Sequence, residues 1–294
     1  MTTISDDTAA RTARKAYETL EPFHVLAYFN PGLRAAQEDT GLDPHAFYVG
    51  ARAAPMGDCA AAVVTSAFYN FSPDLITPAW TAARAAGLTR VADRRTQMLD
   101  ESLRKILGGL ADDPKLPELA ARYRELGARL PLGGRPLAAG WAADPSPSRP
   151  HLALWHAITV LREWRGDNHI AVLVAHDFNA LDAVTFHEAA SPDPTIRRRL
   201  LGRKLVQLTR GWDDEAWEAS VTRLADRGLV SRTDSGHELT DAGLAEYGRI
   251  EDETDAITAP AWTGPDVAYL LDATRPFVKA VIDAGVLPGT RKKD

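Results

Sequence analysis

The residues in this chain best suited to chemistry are histidines set among aromatic side chains. His24 lies in FHVLAYF and His156 follows Trp155 in LWHAITVLREW. His169 and His176 are seven residues apart, so a helix would place them on about one face. An imidazole nitrogen can ligate haem iron, zinc or copper, or take a proton as a general base. Phe23, Tyr28, Phe29, Tyr69, Phe71 and Trp155 supply the flat apolar surfaces that would line a pocket for a planar ligand. The candidate cofactor-binding residues are therefore His24, Tyr28, Tyr69, Trp155, His156, Arg165 and His169, with His24, His156 and His169 as ligands to a haem iron or metal ion. No fixed metal spacing such as H-E-x-x-H accompanies them, and a core histidine hydrogen-bonded to backbone satisfies the same pattern.

A polar site of another kind is offered by REWRGDNH, Arg162 to His169. Read as a junction between two helices, it sets Arg162, Arg165 and Asp167 beside exposed helix amides, where an arginine fork can bind a carboxylate or propionate. In the competing reading Asp167 only caps the second helix and the arginines pair with Glu163 or other neighbours. Arg52, near Pro55 and Gly57, has the same double reading, anion contact or salt bridge. There is no G-x-S-x-G elbow, no G-x-x-x-x-G-K-[ST] loop and no dinucleotide glycine fingerprint, which argues against the common hydrolase, nucleotide-hydrolysing and dehydrogenase classes. Whether any turnover occurs stays open.

The elements that must position these residues are mainly α-helical. Residues 8–29 read as a helix, Pro31 and Gly32 break it, and a second helix begins near Leu33. Cys59 to Phe68 reads as a small-residue apolar helix, and further helices fill Leu75 to about Leu130. Residues 131–150, PLGGRPLAAGWAADPSPSRP, read as a connection able to hold a short helix at Pro136 to Ala143. Leu152, Trp155, Ile158 and Leu161 then form a helical apolar stripe, RGDN reads as a loop, one helix starts at His169 and another covers Ala180 to Ala189. The expected organisation is a helical domain over 1–130, a linker over 131–150, a winged-helix domain over 151–257 and a C-terminal helix and tail over 258–294. The N-terminal half can be read as a diverged second winged-helix unit, giving a tandem arrangement with small β wings.

The most patterned stretch is Gly211 to Tyr247, GWDDEAWEASVTRLADRGLVSRTDSGHELTDAGLAEY. Asp213 or Asp214 can cap a helix carrying Trp217, Val221 and Leu224, and Gly228 supplies a left-handed stop. Leu229 and Val230 start a strand, Asp234, Ser235 and Gly236 suit a tight turn, and Glu238 to Thr240 returns before the next helix. RLADRGLVSR followed by LTDAGLAEY resembles the recognition helix and wing of MarR-type regulators, which read L-x-x-R-G-L-V-x-R and then L-T-x-x-G. Together with LEPFHVLAYFNPGLRAA, GARAAPMGDCAAAVVTSAFYNFSP, GRPLAAG and LWHAITVLREWRGDNHIAVLV, the chain is similar over about residues 10–260 to an actinobacterial helix-turn-helix family of largely uncharacterised proteins. The resemblance implies a helix-turn-helix fold and carries no catalytic residue with it.

The charges of the expected recognition helix oppose DNA reading. Its first turns hold Asp213, Asp214, Glu215 and Glu218 where phosphates would approach. The preceding Arg197, Arg198, Arg199, Arg203 and Lys204 suit either phosphate contact or a solvated helix face. A net charge of −6 gives no general attraction to nucleic acid or an anionic membrane, and the single Cys59 excludes an internal disulfide. With no signal core and no run long enough to span a bilayer, a cytoplasmic protein is expected. The favoured function is binding of a small molecule or cofactor, haem or another tetrapyrrole included, on a winged-helix scaffold that has lost typical DNA readout, in a monomer or homodimer. Its rival is a MarR-like, ligand-responsive DNA-binding regulator in which Arg223, Arg227 and Arg232 contact phosphate. A module meeting a basic protein partner is the third reading.

Overall fold

Capping residues and glycines punctuate the helices of the computed structural model, which describes residues 6–193 and 200–290. Arg197, Arg198 and Arg199 lie outside the described residues. In chain order the elements are α1 Asp6–Val25, α2 Leu33–Thr40, α3 Pro44–Ala53, α4 Ala61–Ala67, α5 Pro73–Ala86, α6 Leu88–Leu107, α7 Lys115–Ala128, α8 Pro136–Ala143 and α9 Pro150–Ala175. There follow α10 Ala180–His187, α11 Arg203–Arg210, α12 Asp214–Asp226, β1 Val230–Thr233, β2 Gly236–Leu239, α13 Asp241–Thr258 and α14 Val267–Asp283. Among the described residues β1 and β2 are the only paired strands, so the N-terminal region contains helices alone and no second wing. No helix among these residues is long and apolar enough to cross a membrane.

The chain divides into two compact units that are discontinuous in sequence. One holds residues 1–59, 79–168 and 255–294, the other 60–78 and 169–254. In the first unit α1 packs on α14, and α6 on α2, α3 and α14. Its core gathers Phe23, Leu99, Leu103, Tyr123, Trp141, Trp155, Trp164 and Phe277, each large side chain worth about 1.5–3 kcal/mol when fully buried. Several of the buried aromatics keep their polar atoms satisfied: Trp155 Nε1 donates to the His24 carbonyl at 3.1 Å, and Trp164 Nε1 donates to the Pro131 carbonyl at 2.9 Å.

Two expectations are corrected in this unit. RGDN is not a loop, because α9 runs unbroken for 26 residues through it. Asn168 folds back to donate to the Trp164 carbonyl at 2.8 Å, and Asp167 is engaged elsewhere, so neither terminates the helix. His169 accordingly sits inside α9 and does not begin a helix. The segment 131–150 is also built into the fold. Its helix α8 buries Leu137, Ala138 and Trp141, and Gly140 lies so close to the 54–56 turn that a Cβ there would meet the Pro55 carbonyl oxygen at 2.9 Å.

The second unit contains the patterned stretch. Asp213 Oδ1 accepts from Ala216 N at 2.7 Å and starts α12, whose buried face carries Trp217, Ser220, Val221 and Leu224. Gly228, with φ of 71°, ends it. The antiparallel hairpin pairs Val230 with Leu239 and Thr233 with Gly236, leaving Asp234 and Ser235 in the turn. Its return strand starts at Gly236, two residues earlier than the spacing suggests. Thr240 then ties strand to helix: its N–H donates to the Leu229 carbonyl, its Oγ1 donates to the Gly228 carbonyl, and it accepts from Gly243 N.

That knot explains the glycine of L-T-x-x-G. A Cβ on Gly243 would stand 2.0 Å from the Leu229 carbonyl oxygen, a backbone atom that cannot swing aside. Gly243→Ala is therefore expected to cost this unit more than about 3 kcal/mol, beyond the usual range for a single substitution, read as an early unfolding transition by calorimetry; an unchanged profile would show that the hairpin does not hold this register.

Candidate functional site

The first unit holds a buried charge cluster centred on α9. Glu163 and His24 are both fully inaccessible. Arg52 of α3 donates to both Glu163 carboxylate oxygens at 2.8 and 2.7 Å, the bidentate geometry that makes this pair strong. Arg162 forks onto Glu21 of α1 at 3.1 and 3.2 Å and reaches Glu163 at 3.4 Å. Two arginines thus face two glutamates. Burial alone would push Glu163 up, yet Arg52 and Arg162 pull it down to about 2.

His24 faces this cluster as a neutral ring. The Thr159 hydroxyl donates its only proton to the Trp155 carbonyl at 2.9 Å, so the 3.0 Å contact from His24 Nδ1 must be donated by the ring. Nε2 then carries the lone pair, 4.0 Å from Glu163 Oε1 and without a hydrogen-bond partner. Burial, helped by Arg162, lowers His24 to about 4. The ring lies parallel to Trp155 at 6.4 Å and edge-on to Tyr28 at 5.3 Å. Three expected residues, His24, Tyr28 and Trp155, are thus brought together, with the ring faces already occupied by side chains.

The other expected residues go elsewhere. Arg165 pairs with Asp255 at 3.0 Å, an acid it shares with Arg14, and lies over the Tyr17 ring. His169 and Tyr69 belong to the second unit, where His169 Nδ1 contacts Thr254 Oγ1 at 2.9 Å and Tyr69 donates to the Phe178 carbonyl. His176 bridges Glu246 and Glu253. Among the described residues no three His, Cys, Asp or Glu side chains come together as a metal site, so His24, His156 and His169 do not form a shared one. The two-helix junction read at Arg162 to Asp167 is absent for the same reason that RGDN is no loop.

His156 opens onto a feature that motif reading passed over. A cleft of about 330 Å³ is lined by Arg95, Leu99, Asp144, Pro147, Trp155 and His156 among others, within the size of small-molecule pockets, about 300–1,000 Å³. Arg95 is 5% exposed. Its guanidinium lies 4.5 Å from the Trp141 ring centroid and 5.9 Å from that of Trp155. Nη1 donates to the Ala51 carbonyl at 2.7 Å and Nη2 stands 3.6 Å from Asp144, which also lies 3.9 Å from His156 Nε2. Two of its lining residues keep a buried nitrogen without a hydrogen-bond partner, Arg95 Nε and His156 Nε2. Burial lowers His156 and keeps it neutral at pH 7. The available signal was the position of Arg95 on the apolar stripe of α6, with Val91, Met98, Leu99 and Leu103, where an arginine is out of place unless it serves something.

Asp167 holds the helix that walls this cleft. Its Oδ2 accepts from Ala138 N at 2.9 Å in the first turn of α8, a cap supplied by another helix, while Arg135 reaches Asn168 Oδ1. Asp144, on the cleft, is the C-cap of the same α8. Burial raises Asp167 to about 7 against the pull of the Ala138 amide.

These charges set measurable outcomes. Glu163→Gln leaves Arg52 buried without its counter-charge and is expected to cost about 3–5 kcal/mol in urea unfolding; a loss under 1 kcal/mol would show that water already screens the pair. For Asp167 the folded state binds the proton more tightly than the unfolded chain, so its contribution is present at low pH and lost as pH rises through 7. His24 has the opposite sign, since its lowered value makes stability fall as pH drops from 6.5 toward 4. Asp167→Asn is expected to gain stability relative to the parent between pH 4.5 and 8 by up to about 4 kcal/mol, each tenfold change in proton affinity being worth about 1.4 kcal/mol, and to expose the rising His24 limb. Parallel pH profiles for the two proteins would overturn this.

Comparison with known proteins agrees with the helical architecture. A model described as a helix-turn-helix family matches residues 13–288. No curated protein and no solved structure matches the chain. The match spans nearly all of the sequence and both compact units, and the chain belongs to this helix-turn-helix family.

Proposed function

We propose that the protein binds a small organic molecule in the cleft beside Arg95 and Trp155, and that α11, α12 and the β1–β2 hairpin form a winged helix turned away from DNA readout. The observation that carries the first part is that Arg95 and His156 both line one cleft and each keeps a buried nitrogen without a hydrogen-bond partner. A buried guanidinium N–H without an acceptor is costly, and a ligand that supplies one would complete Arg95 Nε.

The second part is supported by where the charges of the second unit go. Arg203 donates to Asp214 at 2.7 Å and to Glu218 at 2.5 Å, and Arg232 donates to Glu218 at 2.6 Å and to Thr222 at 2.9 Å. Arg223 grips Asp182 at 2.6 Å, and Arg227 donates to the carbonyls of His176 and Asp177. The acidic turns of α12 thus have cations of their own, and all three arginines suited to phosphate contact are engaged within the chain. Membership of a helix-turn-helix family favours a second reading, a ligand-responsive DNA-binding regulator, in which these pairs would exchange for phosphate.

Thermal unfolding against a library of metabolites separates the two. A bound compound at about one hundred times its Kd adds about 2.7 kcal/mol, a rise of several degrees in Tm, and Trp155→Ala is expected to abolish it. If no compound shifts Tm and a labelled duplex instead binds with a steep salt dependence, the ligand reading fails and the regulator stands.

A further inference from the structure

Four of the buried or half-buried arginines of the first unit show how this fold treats an interior cation. Arg52 has Glu163, Arg162 has Glu21, and Arg165 shares Asp255 with Arg14. Each of those contacts is a hydrogen-bonded ion pair. Arg95 departs from the pattern. Its ion-pair partner, Asp144, stands off at 3.6 Å, is 27% exposed at its side chain, and also faces His156 at 3.9 Å. The two rings against the guanidinium, Trp141 and Trp155, offer π faces but no formal charge. Desolvation accordingly holds Arg95 below the usual arginine range, whereas Arg52 and Arg162, with their glutamates, are raised.

The cleft beside it is asymmetric. At one end lies the donor Arg95 Nε–H, with neutral His156 also lining it. Along the rest run Trp155, Leu99, Leu152 and the prolines 145 and 147, which offer apolar faces and no charge. Asp144 lies between, at the end of α8 and partly in solvent, so it can turn outward without leaving a buried charge behind.

We propose that this cleft takes a small organic acid, its carboxylate replacing Asp144 beside Arg95 and its flat apolar body lying along Trp155. The inference rests on the cleft being a ligand site and adds the charge and shape of what fills it. A carboxylate at Arg95 gives the guanidinium a closer ion pair than its 3.6 Å contact with Asp144, and an acceptor for Nε–H. The apolar remainder buries surface against Trp155 and Leu152. Inorganic phosphate shares the charge without the body and is expected to bind far more weakly.

The test compares acids with their uncharged isosteres on the intact chain. Benzoate and indole-3-acetate are titrated against benzamide and indole-3-acetamide, with inorganic phosphate as a third arm, by calorimetry on the parent, Arg95→Met and Asp144→Asn proteins. The expected result is at least a tenfold preference for acid over amide in the parent, its collapse to near parity in Arg95→Met, and several-fold tighter acid binding in Asp144→Asn. Asp144→Asn keeps the test decisive should Arg95→Met unfold, because Asp144 is partly exposed and its removal predicts a gain. Amides binding as well as acids would overturn the acid assignment while leaving the cleft a ligand site. Phosphate binding as tightly as benzoate would reduce the site to a bare anion contact. Failure of every probe together with an unresponsive metabolite library would remove the ligand reading itself.

Discussion

The bidentate contact between Arg52 and Glu163 is the constraint around which the first unit is organised. It joins α3 to the middle of α9, and the adjacent Arg162–Glu21 fork joins α9 to α1. Glu163 cannot be repacked alone, because it answers Arg52 with both oxygens and also lies 3.4 Å from Arg162. This fixes the rotation of α9, and so decides what every other residue of that helix meets. With Glu163 facing Arg52, Thr159 meets His24 and Trp155 stacks on the same ring. Asp167, one turn further, faces the first turn of α8. The ring of His24, a natural choice for a metal ligand, is held neutral, parallel to Trp155 and edge-on to Tyr28, as part of this arrangement.

From that rotation the cleft follows. Trp155 and His156 are neighbours on α9, so when Trp155 turns inward to donate to the His24 carbonyl, His156 emerges beside it toward Trp141 and Asp144. α8 supplies both of those, and α8 is held at its start by Asp167 and along its length by the close approach of Gly140 to Pro55. Arg95 of α6 completes the wall. One side of the site is thus built from helices held by ionic contacts, and its remaining wall from the Pro145–Pro147 connection. On the proposed reading, a frame held in this way lowers the ordering cost of binding.

Much of this is legible in the sequence, and the losses have physical causes. The hairpin and its flanking helices are readable because caps and turns are local: Asp213, Gly228 and the Asp234–Gly236 turn act within a few residues of themselves. The histidines that meet Trp155 and Trp141 stand out in the sequence as residues in aromatic company. Gly166, Asp167 and Asn168 instead read as a loop and are helix, since Asp167 Oδ2 is turned to α8 and Asn168 to the Trp164 carbonyl, contacts far away in sequence or along the helix itself. The pairing of Arg52 with Glu163 spans more than a hundred residues, which no local pattern encodes. Arg95 carries a signal, a cation on an apolar stripe, which composition and motif reading do not weigh.

The acidic start of α12 is best understood in the same terms. Taken alone, Asp213, Asp214 and Glu218 repel a phosphate backbone, but Asp213 is a helix cap and the other two form one network with Arg203, Gln207 and Arg232. That network joins the start of α11, the exposed side of α12 and the first strand, three pieces which a DNA-reading unit must present together. Its contacts are half exposed, so each contributes little to stability, about 0–1 kcal/mol. They are correspondingly easy to exchange. Their presence therefore speaks less to how the unit is held together, which Trp217, Leu224 and Leu239 accomplish, than to its charge: within this network the carboxylates of Asp214 and Glu218 are matched by the guanidinium groups of Arg203 and Arg232.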